Sequence, residues 1–244
     1  LAIVFCVITM LCWGSWANTQ KLAAGRWRYE LFYWDYVIGI FLFSLLAAFT
    51  LGSNGDQGRP FVTDLQQASN ANIGSALLGG IIFNLANILL SSAIAIAGMS
   101  VAFPVGIGLA LVVGVIINYA SHQKGDPLLL FAGVALVSLA IILNAVAYKK
   151  KSATVSKAGA KGILLSIVAG LLMSFFYRFV AGAMDLDNFV NPEAEKMTPY
   201  TASVVFAAGI LISNLLFNTV MMRRPLQGSP ISYAEYFKGR TSLH

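Results

Sequence analysis

GMSVAFPVGIGLALVVGVIINY, residues 98–119, decides the fold. The stretch is uncharged and long enough to cross a bilayer, which takes about 20 residues of helix. It nevertheless contains a proline, several glycines and an asparagine. Proline removes a backbone donor and crowds the preceding turn. In lipid that defect persists only where neighbouring helices or a polar cavity satisfy the freed carbonyl. Gly106, Ala110 and Gly114 recur every four residues and form a smooth strip that another helix backbone can approach closely. A simple anchor needs none of these features, so the stretch is expected to be a pathway-lining or tightly packed helix, with Pro104 a candidate substrate-binding position.

The rest of the chain agrees with a membrane setting. Of 244 residues, 58% are hydrophobic and 11% charged, against about 25% charged in soluble domains; mean hydropathy is +0.76. The apolar runs are too long for barrel strands of roughly 10 residues. The expected fold class is therefore an all-α polytopic membrane protein, a multi-helix bundle. Hydrophobic length and breaker residues place seven spans at 1–16, 36–51, 73–97, 100–120, 128–148, 162–184 and 201–222.

The loops after the first, fifth and seventh spans carry twelve of the sixteen cations: Lys21, Arg26, Arg28, Lys149, Lys150, Lys151, Lys157, Lys161, Arg223, Arg224, Lys238 and Arg240. Arg59, Lys124 and Lys196 lie in loops of the opposite face. This asymmetry is the positive-inside pattern, so the net charge of +6 calls for no nucleic acid. The central basic loop is expected to be cytoplasmic and the N-terminus outside, in a plasma or bacterial inner membrane. Cys6 and Cys12, about 9 Å apart along one helix, cannot form a disulfide and are expected to be buried thiols.

The basic loop also divides the chain. Residues 1–148 form a five-helix unit, 149–161 a basic cytoplasmic linker, and 162–244 the start of a second unit. An odd-numbered unit followed by its copy gives an inverted repeat. The chain opens inside a hydrophobic run and is expected to be truncated after seven of ten helices. The outer loop, residues 52–72, is expected to be a solvated connector with one short turn at Phe61 and Leu65, and residues 231–237 to lie along the membrane surface.

Several constellations have the character of a binding site. Gly80, Asn84, Asn87, Ser91 and Ala95 fall within roughly 80° of one another at about 100° per residue, giving a polar face that lipid would penalise. It either hydrogen-bonds to the small strip of the next span or lines a substrate cavity. Ser203, Ala207, Asn214 and Asn218 repeat the device on the seventh span, so the two faces are expected to share a cavity suited to a neutral, multiply hydrogen-bonding solute. Trp13 and Trp16 either belong to an interfacial aromatic belt or stack on a planar or sugar-like ligand whose edges Ser15 and Asn18 bind. Arg178 either snorkels to outer headgroups near Asp185 or Asp187, or binds a carbonyl or carboxylate beside Tyr177. Asp35 and Glu30 mark the inner mouth of the second span.

Enzyme chemistry lacks its parts. There is no GxSxG or HExxH motif, and neither His122 nor His244 has the partners of a triad or metal site. The last span has no lysine for a retinal Schiff base, and SKAGAKGILLS lacks the phosphate-loop pattern GxxxxGK[ST]. No cofactor is expected, only coupling to protons or sodium ions; the partners are a small-molecule substrate and the lipid bilayer. Oligomeric state has no signature.

The segments CWGSWANTQKL and WDY (34–36), FVTDLQQASNANIGSALLGGIIFNLANILLSSAIAIAGMSVAFPV, VVGVIINY (112–119) and RRPLQGSPISYAEYFKGR, taken in order, resemble the drug/metabolite transporter superfamily and, within it, the ureide permease family. AFPVGIGLAL is also similar to the glucose/ribose porter branch. The resemblance implies ten helices in two inverted five-helix repeats with a central substrate, and lining roles for the first, third and fourth spans. It further implies a permease for a ureide or nucleobase, such as allantoin or uracil, with proton coupling. A sugar permease and a non-transporting sensor or scaffold on the same fold are the alternatives.

Overall fold

A computed structural model of the chain describes residues 2–23, 26–54, 58–121, 123, 125–151, 157–226 and 228–239. His122, Lys124, Arg240, His244 and linker residues 152–156 lie outside the described residues, as do the side chains of Lys149, Lys150, Lys151 and Lys157. The described residues form helices α1 (Ala2–Ala23), α2 (Tyr29–Phe49), α3 (Phe61–Gln67), α4 (Asn70–Ala97), α5 (Met99–Ser121), α6 (Pro127–Lys151), α7 (Lys157–Gly182), α8 (Pro199–Arg223) and α9 (Tyr233–Phe237). Each of the seven long helices overlaps one of the expected spans. Among the described residues, six of them, α2 and α4 to α8, hold stretches long and apolar enough to cross a membrane.

Several helices extend beyond their expected ends, α1 and α2 by the most. α1 continues past Trp16 because its hydroxyls bond within the helix: Ser15 donates to the Leu11 carbonyl at 2.7 Å and Thr19 to that of Trp16 at 2.5 Å. α2 begins at Tyr29 because the acidic residues of its first turns are paired. Arg28 holds Glu30 at 2.7 Å, and Asp35 accepts from the Trp27 indole at 3.1 Å and the Tyr236 hydroxyl at 2.6 Å. In the outer loop the expected turn is a full short helix, α3, stapled to the 185–198 loop. Arg59 pairs with buried Asp64 at 2.8 Å and donates to the Lys196 carbonyl at 2.6 Å.

Within lipid, helix association depends on close packing because burial against another helix gains no hydrophobic advantage over lipid tails. α4 is the central helix, packed by α7, α8, α5 and α2. A Cβ at Gly80 would lie 2.1 Å from the Phe206 carbonyl oxygen, and one at Gly209 would lie 2.4 Å from that of Leu77. α4 and α8 therefore run parallel with their backbones in contact. Asn84 joins them, donating to the Ser213 hydroxyl at 2.9 Å. At the level of Gly80 and Gly209 glycine brings the two backbones into direct contact, so the polar faces of α4 and α8 pack on each other there. Ser203 instead lies exposed, donating to the Pro199 carbonyl.

The small strip of α5 faces α7 and, at Gly106, Leu90 of α4 rather than the α4 asparagines. Gly106 and Gly114 pack on α7, where Ser166, Gly170 and Ser174 repeat the same four-residue spacing; a Cβ at Gly170 would meet the Gly106 carbonyl oxygen at 2.5 Å. α6 packs chiefly on α5, through Ile141 on Gly108 and an edge contact of Phe131 with Tyr119. Both cysteines are exposed rather than buried, because α1 meets the bundle along one narrow edge formed by Trp16, Ala17 and Gln20.

The basic segments converge at one end. Lys161 donates to the Leu226 carbonyl and Arg28 to that of Ser229, while Trp27 packs on Tyr236 of α9. α9 lies across this end as a strap held by the Tyr236–Asp35 bond. Burial, and then the neighbouring Asp35 carboxylate, push the Tyr236 hydroxyl well above the usual tyrosine range.

Candidate functional site

α1, α2, α4, α5 and α7 enclose a cavity of about 220 Å³ lined by Cys12, Trp13, Trp16, Tyr36, Phe83, Asn87, Ile107 and Met173. That is the volume of about seven waters at ~30 Å³ each, enough for one small substituted ring. Trp16 and Tyr36 stack along one wall with centroids 5.4 Å apart and planes 22° from parallel. Phe103 of α5 leans on Trp16 from the basic side. The lining carries no ionisable group of ordinary charge at neutral pH, and Asn87 supplies its amide. Aromatic faces with one amide suit a flat, neutral, hydrogen-bonding ligand, because stacking contributes contact while the amide fixes orientation.

A polar chain behind the wall fixes that amide. Asn87 donates to the Tyr33 hydroxyl oxygen at 3.3 Å; Tyr33 donates to the Asn84 carbonyl-type oxygen at 2.9 Å; Asn84 donates to Ser213. Ser213 in turn donates to the Gly209 carbonyl at 2.7 Å. The cavity wall on α4 is thus tied through α2 to α8.

The cavity continues away from the basic loops. Through Trp13, Ile107 and Met173 it adjoins a second space of about 270 Å³. Through Val115, Asn118 and Tyr177 that space adjoins a groove of about 830 Å³ reaching Ser121, Arg178 and Leu186 at the end opposite the basic loops. Toward the basic end, Trp16, Ala17, Leu90, Phe103 and Ala102 pack into an apolar seal.

Of the residues singled out from sequence, Trp13, Trp16 and Asn87 come together in the deep cavity. Tyr177 borders its middle section and Arg178 the outer groove. Asp185 is engaged with the backbone N–H groups of Asp187, Asn188 and Glu193. Asn84 lies one layer behind the wall. Ser15 is exposed and bonded within its own helix, as a hydroxyl on the far face of α1 must be, and Asn18 is exposed as well. Ser91 lies below the seal, beside Gln20. Pro104 borders none of these spaces; its neighbours Phe103 and Ile107 do the contacting. Asn214 is wholly buried in α8 and also borders none of them. Sequence reasoning missed Tyr33, Tyr36, Phe83 and Met173; the spacing of Tyr33 and Tyr36, three apart at the start of α2, was the available signal.

The family model for "Ureide permease" matches residues 32–161, more than half of the chain. Ureide permease 3 of Arabidopsis thaliana is 24% identical over 255 residues, covering 93% of this chain and 73% of that protein. Ureide permease 1 of the same plant is 29% identical over 154 residues, covering 62% and 40%. Probable ureide permease A3 of Vigna unguiculata is 29% identical over 163 residues, covering 64% and 43%. No solved structure matches at a significant level. On the extent of the model match, the chain belongs to the ureide permease family.

Proposed function

We propose that this chain moves a ureide or nucleobase, such as allantoin or uracil, by cation-coupled alternating access. Family membership makes it a transmembrane transporter rather than an enzyme, and its apolar helices make it an integral, multi-pass membrane protein. The observation that carries the substrate assignment is the Trp16–Tyr36 stack facing Asn87 in an uncharged cavity. A planar ring with alternating N–H and C=O groups fills such a slot without burying a charge. With its open side away from the basic loops and its seal toward them, the molecule is in an outward-facing state, provided the basic end is cytoplasmic as the charge bias supports.

The same proposal places the chain in the drug/metabolite transporter superfamily, with ten helices as two inverted five-helix repeats and proton or sodium coupling. Residues 1–148 are the first repeat and 162–244 the opening of the second; α7 and α8 packing into the first unit suits a site held between repeats. A sugar is the second substrate reading, because the glucose/ribose porter-like stretch contributes Ile107 to the cavity and Phe103 to its floor. Uptake of labelled allantoin, uracil and glucose into proteoliposomes, with and without proton and sodium gradients, tests both. Accumulation of allantoin that uracil inhibits and glucose does not is the expected result; accumulation of glucose alone would replace the ureide by a sugar, and no accumulation of any of the three would remove transport.

A further inference from the structure

Below the aromatic seal lies a separate cavity of about 650 Å³ at the basic end, bordered among others by Gln20, Lys21, Tyr29 and Ser100. Gln20 is 4% exposed and Ser91 is 1% exposed. The Gln20 amide donates to the Ser91 backbone carbonyl at 3.1 Å, which holds the two side chains next to each other. Yet the Gln20 carbonyl-type oxygen and the Ser91 hydroxyl both lack a hydrogen-bond partner. Ser91 departs here from its neighbours: Ser92 and Ser166, equally buried in helices, satisfy their hydroxyls on the carbonyl four residues back. Buried polar groups are nearly always paired, and an unpaired donor beside an unpaired acceptor needs an explanation.

Their positions supply one. Gln20 lies one helical turn beyond Trp16 on α1, and Ser91 one turn beyond Asn87 on α4. The pair therefore continues the two walls of the central cavity past the seal toward the basic-end space. Pro104 adds a third group: having no N–H, it leaves the Ser100 carbonyl, at the border of that space, without the donor a helix supplies four residues on. We propose that Gln20 and Ser91 form a second, release-side subsite that binds an adjacent N–H and C=O edge of the solute when the seal parts. The ligand's N–H donates to the Gln20 oxygen and its C=O accepts from the Ser91 hydroxyl. A neutral ureide or lactam edge presents that pair side by side, whereas Lys21 at the border disfavours a cation. In the sealed state the two groups are unsatisfied, so parting the seal onto solute or water stabilises them.

The subsite rests on the ureide reading above, and a two-direction transport assay separates their failures. Ser91→Ala and Gln20→Leu in the full chain are assayed for labelled allantoin uptake and efflux in oriented proteoliposomes with equal ion composition on both sides. Ser91→Ala removes a hydroxyl that bonds nothing in the sealed state, so its folding is safe even if Gln20→Leu loosens α1. The expected result is an efflux KM raised about ten-fold and an uptake Vmax lowered by a similar factor, with uptake KM within two-fold of wild type. Equal rises in uptake and efflux KM would assign the pair to the central cavity and overturn the subsite, as would unchanged kinetics in both directions. A wild-type protein that moves no allantoin would overturn the ureide reading and the subsite with it.

Discussion

Replacing Asn87 and Asn84 separately by leucine distinguishes the cavity wall from its support. The two amides lie on the same face of α4 and both bond Tyr33. Asn84 is enclosed and makes two bonds of 2.9 Å, from Tyr33 and to Ser213. In a bilayer such bonds contribute about 0.6 to 2 kcal/mol each, so Asn84→Leu is expected to lower stability by about 1–3 kcal/mol. Uptake KM should stay within about two-fold, since its side chain touches no cavity. Asn87 borders the cavity, donates to Tyr33 at a long 3.3 Å and also bonds the Tyr36 hydroxyl at the cavity wall. Leucine there leaves a polar atom of the ligand unpaired, at about 1–3 kcal/mol, which raises KM from about five-fold to beyond a hundred-fold with little loss of stability. Initial uptake rates normalised to inserted protein, together with thermal unfolding in detergent, measure both. An unchanged KM for Asn87→Leu, or the same profile for both variants, would refute the division.

Three further outcomes follow from packing and charge. Gly80→Ala places a Cβ 2.1 Å from the Phe206 carbonyl oxygen, where neither backbone can yield, and is expected to cost more than about 2 kcal/mol; a thermal midpoint equal to wild type would contradict the α4–α8 contact. Asn214 is 0% exposed with both amide atoms unpartnered, so Asn214→Leu is expected to be neutral or stabilising, and a fall in thermal midpoint of several degrees would reveal a partner that it serves. Tyr236→Phe should raise hydrogen exchange over α9. Because the Tyr236 hydroxyl titrates above its ordinary range, its contribution is fully present below about pH 10 and is lost as pH rises through the folded value; strap exchange that ignores both the substitution and alkaline pH would argue against this anchor.

How much of this was legible in the sequence depended on whether a signal was local. Hydrophobic length located all seven long helices, because a bilayer-spanning run is a property of one segment. Helix ends were not legible where polar residues are satisfied by partners elsewhere, as Asp35 is by Tyr236, 201 residues away. The strip Gly106, Ala110 and Gly114 announced a close helix contact but not its partner; Ser166, Gly170 and Ser174 on α7 carry the matching spacing and were passed over. Asn87 and Asn214 gave the same periodic cue, yet one borders a cavity and the other is buried against packed helices. Periodicity finds a polar face without saying what faces it. The aromatic half of the site was visible in Trp13 and Trp16, while Tyr36, Phe83 and Met173 look like ordinary apolar packing until three helices bring them together.

The native cysteines allow the most direct test of the central claim, that the cavity between α1, α2, α4, α5 and α7 holds the solute. Cys12 borders that cavity, whereas Cys6, exposed on the same helix, borders none of the spaces described. Labelling of the two thiols by N-ethylmaleimide is followed in the full chain with and without saturating allantoin. Slower labelling of Cys12, by several-fold, with Cys6 unchanged is the result this account predicts. Equal labelling of Cys12 in the presence and absence of allantoin, in protein that takes allantoin up, would contradict it.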